Sequence, residues 1–186
     1  VDIDAVFDTH IHADHVAGLP DMRAVSMINN KIIPAYMPTN MKEEILKNYK
    51  YIFLGHKNYI PFMEYKELKN DFFIEDINIK SFPHNHGAID SQTFRIDNFA
   101  YSTDFKKFYD NDIDKFKNLD LWIVGLLRPD SHSSHAGFNE IMKYIDYLKP
   151  KKTIFTHMTA LIDFDKINAL CPDNVSVGYD GLEIEI

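Results

Sequence analysis

The segment at positions 9–18, which reads THIHADHVAG, constrains this chain more than any other feature of its sequence. His10 and His12 are two positions apart, so on an extended backbone their side chains point to the same side and can bind one metal ion. Asp14 and His15 follow at once and can turn towards a second ion. Neutral imidazole and carboxylate groups suit zinc, manganese or iron. The segment therefore predicts a two-metal site that needs further ligands from elsewhere in the fold.

Strand and helix patterns alternate along the rest of the chain. Apolar alternation and short apolar runs predict strands at 3–7, 32–33, 77–82, 93–96, 99–102, 119–127, 152–155 and 182–186. We expect the second strand to stop near Pro34, and the pair Asp97 and Asn98 to form a hairpin turn. Helical periodicity predicts helices at 41–51, 136–148 and 164–170. The stretch 55–71 has no clear period and is predicted to be a loop over the site.

Segment 9–18 resembles the signature of the metallo-β-lactamase superfamily. The resemblance covers essentially the whole chain and implies two divalent ions, zinc or manganese, held by seven residues: His10, His12, Asp14, His15, His86, Asp104 and His157. In this arrangement His86 completes the first site, Asp104 bridges the two ions and His157 completes the second site. His84 lies two positions before His86, and spacing alone does not separate the two. The family places its ligand just before a glycine or other small residue, which favours His86.

The resemblance also implies the architecture. The fold expected is α/β, an αββα sandwich of two mixed β-sheets with helices on the outer faces, formed by residues 1–186 as one domain. Members of the superfamily usually place several strands and an Asp-containing motif before the His-rich segment. Here that segment starts near the first residue, and the chain begins with Val1 rather than Met. We therefore expect this chain to be the C-terminal part of a longer protein, with the N-terminal strands missing from it.

A second informative segment, LRPDSHSSH at positions 127–135, precedes the predicted helix at 136–148. It resembles an element of the bacterial PhnP-like enzymes, which are cyclic-phosphate phosphodiesterases. The resemblance implies that His135 donates a proton to the leaving group, because histidine can hold and release a proton near neutral pH. His132 is the alternative donor, or a partner of His135. That both histidines merely cap the following helix stays open.

The subgroup resemblance also bears on phosphate binding and on the reaction. Asp21 and Arg23 match its Leu-x-Asp-x-Arg pattern. Arg23 and Arg128 can bind phosphate through their planar guanidinium groups, or can form structural ion pairs. The reaction implied is hydrolysis of a small or cyclic phosphodiester by a hydroxide held between the two ions, with Asp14 and Asp104 as its partners.

Composition narrows the function classes. The formal net charge of −8 weighs against a nucleic-acid substrate, because phosphate contacts usually come from basic residues. No apolar run is long enough to span a membrane, and the single cysteine, Cys171, excludes an intrachain disulfide and favours the cytoplasm. The alternatives are a thioesterase, a lactamase or a nuclease of the same fold, and, from another class, a non-catalytic metal-binding module. A small-molecule substrate is the partner expected, and a homodimer stays open.

Overall fold

The structure, a computed structural model, describes residues 2–185 of the chain. It divides into two compact units, Val1–Asp76 and Ile77–Ile186. Each unit has its own buried apolar core. Among the described residues, no helix is both long enough and apolar enough to cross a membrane.

The N-terminal unit is built on a small parallel sheet of β1 (Val6–Phe7), β2 (Ile33–Met37) and β3 (Met63–Glu67), in that order. Its helices are α1 (Ala13–Val16), α2 (Met22–Asn29), α3 (Lys42–Asn48) and α4 (Lys50–Phe53), and β4 (Asp71–Ile74) lies near its end. The alternating residues Ile33, Ala35 and Met37 are fully buried, which makes β2 the centre of this core.

Three sequence-based predictions differ from the structure in this unit. Strand β2 does not stop near Pro34 but runs through it. Ile33 donates its backbone N–H to Phe62, so Pro34, which has no N–H, faces the opposite side of the strand, where β1 pairs only with Ala35 and Tyr36. The predicted loop at 55–71 contains β3, whose exposed charged residues hide its alternating pattern. The predicted helix at 41–51 forms as two short helices, α3 and α4.

The C-terminal unit contains six strands: β5 (Ile77–His86), β6 (Ile89–Ile96), β7 (Phe99–Ser102), β8 (Leu121–Gly125), β9 (Lys152–Thr156) and β10 (Val175–Val177). Within the unit they lie side by side in the order β10-β9-β8-β7-β6-β5. Strands β7 to β10 are parallel, and β6 is antiparallel to both β5 and β7. The carboxyl ends of β5, β7, β8 and β9 therefore meet at one edge of the sheet, where side chains can converge.

Helices α5 (Phe138–Leu148) and α6 (Phe164–Leu170) lie in the same unit. The residues Phe105, Phe116, Trp122, Ile141 and Phe155 form its fully buried centre. The hairpin turn predicted at Asp97 and Asn98 joins β6 to β7, and Asp97 has a φ of 48°.

Other boundaries in this unit differ from expectation. Strand β5 extends four residues beyond the predicted 77–82, through Pro83 to His86, because it pairs with β6 over that length. The strand predicted at 182–186 does not form over 182–185, and Ile186 lies outside the described residues. The strand that ends this unit is instead β10, which pairs with β9.

Candidate metal centre

The N-terminal unit contributes the His-rich segment directly after β1. His10 is buried, and its Nδ1 lies 3.0 Å from the Thr9 hydroxyl, while its Nε2 lies 3.0 Å from Nδ1 of His12. His12 has extended backbone dihedrals and precedes the first turn of α1, whose backbone nitrogens at His15 and Val16 bond to its carbonyl. The backbone therefore changes from extended to helical within the motif. His10 and His12 are two positions apart on the extended part, His15 is three positions further on the helix, and His12 and His15 both lie beside the His10 ring.

The short helix α1 carries the last two residues of the motif. The ring of His15 packs against that of His10, with centroids 4.3 Å apart. Asp14 is exposed, and its Oδ2 lies 3.4 Å from Nε2 of His15. All four N-terminal residues predicted as ligands thus lie beside at least one other member of the set.

In the C-terminal unit, Asp104 is the centre of the second group. It follows β7, is buried, and faces a different imidazole with each carboxylate oxygen. Oδ2 lies 3.1 Å from Nε2 of His86, which ends β5, and Oδ1 lies 3.2 Å from Nδ1 of His157, which follows β9. A carboxylate that offers one oxygen to each of two histidine sites has the geometry expected of a bridging ligand.

Two of these residues have an uncommon backbone conformation. Asp104 has a φ of 49° and His157 a φ of 57°, in the left-handed region that residues with a side chain rarely adopt. Gly125, at the end of β8, lies between them in the sheet. A Cβ atom there would lie 3.1 Å from the Asp104 nitrogen and 3.7 Å from the His157 Cβ. The absence of a side chain at Gly125 therefore leaves room for the Asp104 turn, whereas the distance to His157 is an ordinary van der Waals contact.

The environment of His86 determines which of its nitrogens can bind a metal. Its Nδ1 lies 2.9 Å from the carbonyl oxygen of Ser134, which can only accept, so Nδ1 carries the hydrogen. In a neutral ring, Nε2 is then the acceptor nitrogen, and it faces Oδ2 of the Asp104 carboxylate at 3.1 Å. Two acceptor atoms that face one another can bind the same cation.

The distances also fit a metal ion. Nitrogen and oxygen ligands that each lie about 2.0–2.2 Å from one tetrahedral zinc ion are about 3.3–3.5 Å from one another. The His10 to His12 separation and both Asp104 separations, at 3.0–3.2 Å, are close to that value. All the donors are imidazole nitrogens or carboxylate oxygens, as zinc and manganese prefer.

His84 does not approach the Asp104 carboxylate. It is fully buried, and its Nε2 lies 3.1 Å from the backbone oxygen of Thr103 and 3.3 Å from that of Asp104. His86, rather than His84, has its ring nitrogen at the carboxylate.

His135 lies beside this group and His132 farther out. Nε2 of His135 lies 4.0 Å from Oδ2 of Asp104, and burial lowers the pKa of His135 to about 4 although the Asp104 charge opposes this. The ring is therefore neutral at pH 7 in the metal-free protein. His132 is exposed, and its Nδ1 lies 3.0 Å from the Ser134 hydroxyl. Neither side chain caps α5, whose first turn is capped by Glu140, which accepts from the Gly137 N–H.

The two arginines predicted to bind phosphate, Arg23 and Arg128, belong to different units. The Arg23 guanidinium of α2 is exposed, lies 4.6 Å from the Tyr59 ring centroid, and lines a surface pocket of ≈ 340 Å³. Arg128 follows β8, and its buried Nε has no hydrogen-bond partner within residues 2–185. Over the same residues, neither arginine forms an ion pair with a carboxylate.

Sequence reasoning overlooked Asp8, two positions before His10. Asp8 is buried, its Oδ2 has no hydrogen-bond partner in the described part of the chain, and burial raises its pKa to about 7, against the effect of His15. The signal available was an acidic residue placed between a strand and a metal motif, where an apolar residue would be easier to bury. Sequence reasoning also overlooked the Ser134 carbonyl, which no side-chain pattern can indicate.

Comparison with known proteins relates the chain to the beta-lactamase superfamily. A family model described as "Beta-lactamase superfamily domain" matches residues 1–158. A crystal structure of a diphosphatase from the PhnP family is similar with a TM-score of 0.88 and 26% identity, over 97% of this chain and 70% of that one. The metallo-β-lactamase-fold protein YhfI from Bacillus subtilis has a TM-score of 0.77 and 16% identity, over 97% of this chain and 76% of that one. Zinc-bound PqqB from Methylobacterium extorquens has a TM-score of 0.73 and 14% identity, over 99% and 71%.

Among curated proteins, an octanoyltransferase from Porphyromonas gingivalis is 28% identical over 189 residues, which cover 97% of this chain but 37% of that protein. The chain thus spans little more than a third of this relative.

These similarities define the class of the protein as one with the metallo-β-lactamase fold. The chain belongs to the beta-lactamase superfamily domain family. The predicted fold class and the resemblance to the PhnP-like subgroup are both confirmed.

Proposed function

We propose that this protein hydrolyses a small or cyclic phosphodiester with two divalent metal ions, zinc or manganese. The observation that carries the proposal is the Asp104 carboxylate, which presents one oxygen to His86 and the other to His157. The 26% identity to a PhnP-family diphosphatase supports a substrate that contains phosphate.

The proposed ligands form two groups that share one residue. We assign His10, His12, His86 and Asp104 to the first ion, and Asp14, His15, Asp104 and His157 to the second. The hydrogen bond from His86 Nδ1 to the Ser134 carbonyl supports this assignment, since it makes Nε2 the nitrogen with the lone pair in a neutral ring. The Thr9 hydroxyl can hold Nδ1 of His10 in the same way.

The ions, when bound, supply positive charge that lowers the pKa of the attacking water and neutralises the phosphate oxygens. The carboxylates of Asp14 and Asp104 accept hydrogen bonds from that water and orient it towards phosphorus. Arg128 and Arg23 bind the remaining phosphate oxygens or a distal part of the substrate through charge-assisted hydrogen bonds. The absence of a carboxylate partner for either arginine among residues 2–185 supports this role over a structural ion pair.

The proton for the leaving oxygen comes from His135. Its Nε2 lies 4.0 Å from Oδ2 of Asp104 and its side chain is buried. His132 is exposed, and its ring centroid lies 6.5 Å from that of His135. A bound phosphate adds negative charge beside His135 and favours the protonated ring that a general acid requires. His132 serves as its neighbour rather than as the donor.

A second candidate is hydrolysis of a diphosphate linkage, which the name of the PhnP-family relative favours. The same residues suit it, because an in-line attack on phosphorus needs the same charge neutralisation in an ester and in an anhydride. The two candidates differ only in the leaving group.

A substrate panel with zinc- or manganese-loaded protein tests the proposal. It contains bis(p-nitrophenyl) phosphate, a ribose cyclic phosphate, a diphosphate diester, a thioester, a β-lactam and an RNA oligonucleotide. We expect kcat/KM to be highest on a small phosphodiester. A higher value on the diphosphate selects the second candidate, and one on the thioester, the lactam or RNA refutes both. Metal binding without turnover of any substrate would identify a non-catalytic metal-binding module.

A further inference from the structure

His84 occupies a buried position that the proposed reaction does not use. Its side chain is fully buried, and its Nε2 faces the backbone oxygens of Thr103 and Asp104 at 3.1 and 3.3 Å. A carbonyl oxygen can only accept, so Nε2 must carry a hydrogen. One imidazole N–H therefore contacts the carbonyl oxygens on either side of the Asp104 Cα atom, those of Thr103 and of Asp104 itself.

The other nitrogen of His84 is also engaged. Its Nδ1 lies 2.9 Å from the Thr93 hydroxyl, which lies 2.9 Å from the Ser102 hydroxyl. The indole N–H of Trp122 donates to that Ser102 oxygen at 3.0 Å. All four side chains are fully buried, so each polar atom needs a partner within the protein.

These contacts form a continuous hydrogen-bonded chain. The indole of Trp122 and the hydroxyl of Thr93 both donate to the Ser102 hydroxyl oxygen. The Thr93 oxygen faces Nδ1 of His84, and Nε2 of His84 donates to the two carbonyls. The contacts therefore link Trp122 to the Asp104 backbone through three buried polar side chains.

This hydrogen-bonded chain ends at a residue with an uncommon backbone conformation. Asp104 has a φ of 49°, which a residue with a side chain adopts only when its surroundings hold it. That conformation directs the carboxylate to His86 and His157. The hydrogen bonds from His84 to the carbonyls before and within this turn stabilise it against relaxation to an ordinary extended backbone.

We infer that His84 is a positioning residue, which fixes the Asp104 backbone through the buried chain Trp122–Ser102–Thr93–His84 and so sets the carboxylate for metal binding. It acts through Asp104 and contacts neither substrate nor metal. The inference rests on the proposed function insofar as Asp104 is a metal ligand.

The test compares two amide substitutions. In His84→Gln the amide nitrogen reaches about as far as Nε2 and can still donate to the carbonyls, whereas in His84→Asn it reaches only as far as Nδ1. We expect His84→Asn to weaken zinc binding by roughly 10- to 100-fold, as measured by competition with a chelating dye, and His84→Gln to be only a few-fold weaker than the wild type. Equal affinities for His84→Asn and the wild type, or equal losses in both variants, would overturn the inference.

A second measurement needs no metal. Two-bond ¹H–¹⁵N spectra of histidine rings distinguish the tautomers, and the His84 signal is assigned by its absence from the His84→Gln spectrum or, if that variant does not fold, by selective labelling. We expect Nε2 of His84 to carry a hydrogen, and a ring whose only hydrogen is on Nδ1 would contradict the inference. A wild-type protein that binds no metal would refute the proposed function, whereas the tautomer would still decide the role of His84.

Discussion

A Cβ atom added to Gly125 would lie 3.1 Å from the backbone nitrogen of Asp104. Gly125 ends β8, and Asp104 follows the neighbouring strand β7, so the two meet at the carboxyl edge of the sheet. The left-handed turn at Asp104 brings its backbone nitrogen into the space that a side chain at position 125 would occupy. The bridging position of this carboxylate therefore depends on a residue that has no functional group.

Replacing Gly125 with alanine should disturb this turn. We expect Gly125→Ala to lower the free energy of unfolding of the metal-free protein by about 1–3 kcal/mol, because the added methyl group overpacks a buried site. Zinc affinity should fall as well, since the Asp104 backbone must move. Urea denaturation and metal titration measure the two effects. Gly18→Ala is the matched control, because nothing lies within 4 Å of a Cβ at Gly18. Equal stability of the two variants would show that a methyl group at position 125 does not clash with the Asp104 turn.

The charge of Asp104 should be needed for metal binding. We expect Asp104→Asn to keep the side-chain shape but to retain less than half of the roughly two ions per chain that a dinuclear site holds, because a neutral amide is a weak ligand for zinc. Elemental analysis after gel filtration gives the metal content. Asp173→Asn, at an exposed position, serves as the control. Full occupancy in Asp104→Asn would remove Asp104 from the ligand set.

His135 should matter most when the leaving group is poor. We expect His135→Ala to reduce turnover of an alkyl phosphodiester by roughly 10²–10⁴-fold, the usual contribution of general acid catalysis. A nitrophenolate leaving group needs little protonation, so the loss on bis(p-nitrophenyl) phosphate should be much smaller. His132→Ala should have little effect on either substrate. Similar losses on both substrates would indicate that His135 binds or supports the site instead.

Glu140 should stabilise the segment that carries His135 in a pH-dependent way. Its Oε2 lies 3.0 Å from Lys106 Nζ and accepts from the Gly137 N–H at 3.1 Å. Burial acts to raise the pKa of Glu140, but hydrogen bonds from Ser131, Lys106 and Gly137 outweigh it and lower the pKa below its usual 4.5. The charged form is thus favoured in the folded state, and its contribution is fully present above pH 4.5 and is lost as the pH falls through the lowered pKa.

We therefore expect Glu140→Gln to destabilise the metal-free protein at pH 7 by up to about 1 kcal/mol, a small value because the pair is partly exposed. The difference from the wild type should shrink in acid. Denaturation curves between pH 3 and pH 8 test this, with the exposed Glu183→Gln as the control. A difference that stays constant across this range would mean that the charge of Glu140 is not what stabilises the segment.

The sequence by itself determined the local chemistry of this protein. The spacing of His10, His12, Asp14 and His15 is a property of six consecutive residues, and it predicts a metal-binding segment because extended and helical backbones orient side chains by fixed periods. The hairpin at Asp97 and the helix α6 were predictable for the same reason, since turn residues and apolar periodicity act over short distances.

Only the tertiary structure decided the rest, because those choices depend on partners that are distant along the chain. His84 and His86 lie on the same strand, and spacing alone does not decide which of them is the metal ligand. His86 faces the carboxylate because the Ser134 carbonyl, 48 positions away, holds its Nδ1, while Thr93 and the Thr103 carbonyl hold His84. The left-handed backbone of Asp104 likewise depends on the space at Gly125, on a neighbouring strand. Strand β2 passes through Pro34 because β1 is too short to require its missing N–H. Each outcome follows from a hydrogen bond or a steric limit between strands, which a linear pattern of residue types does not contain.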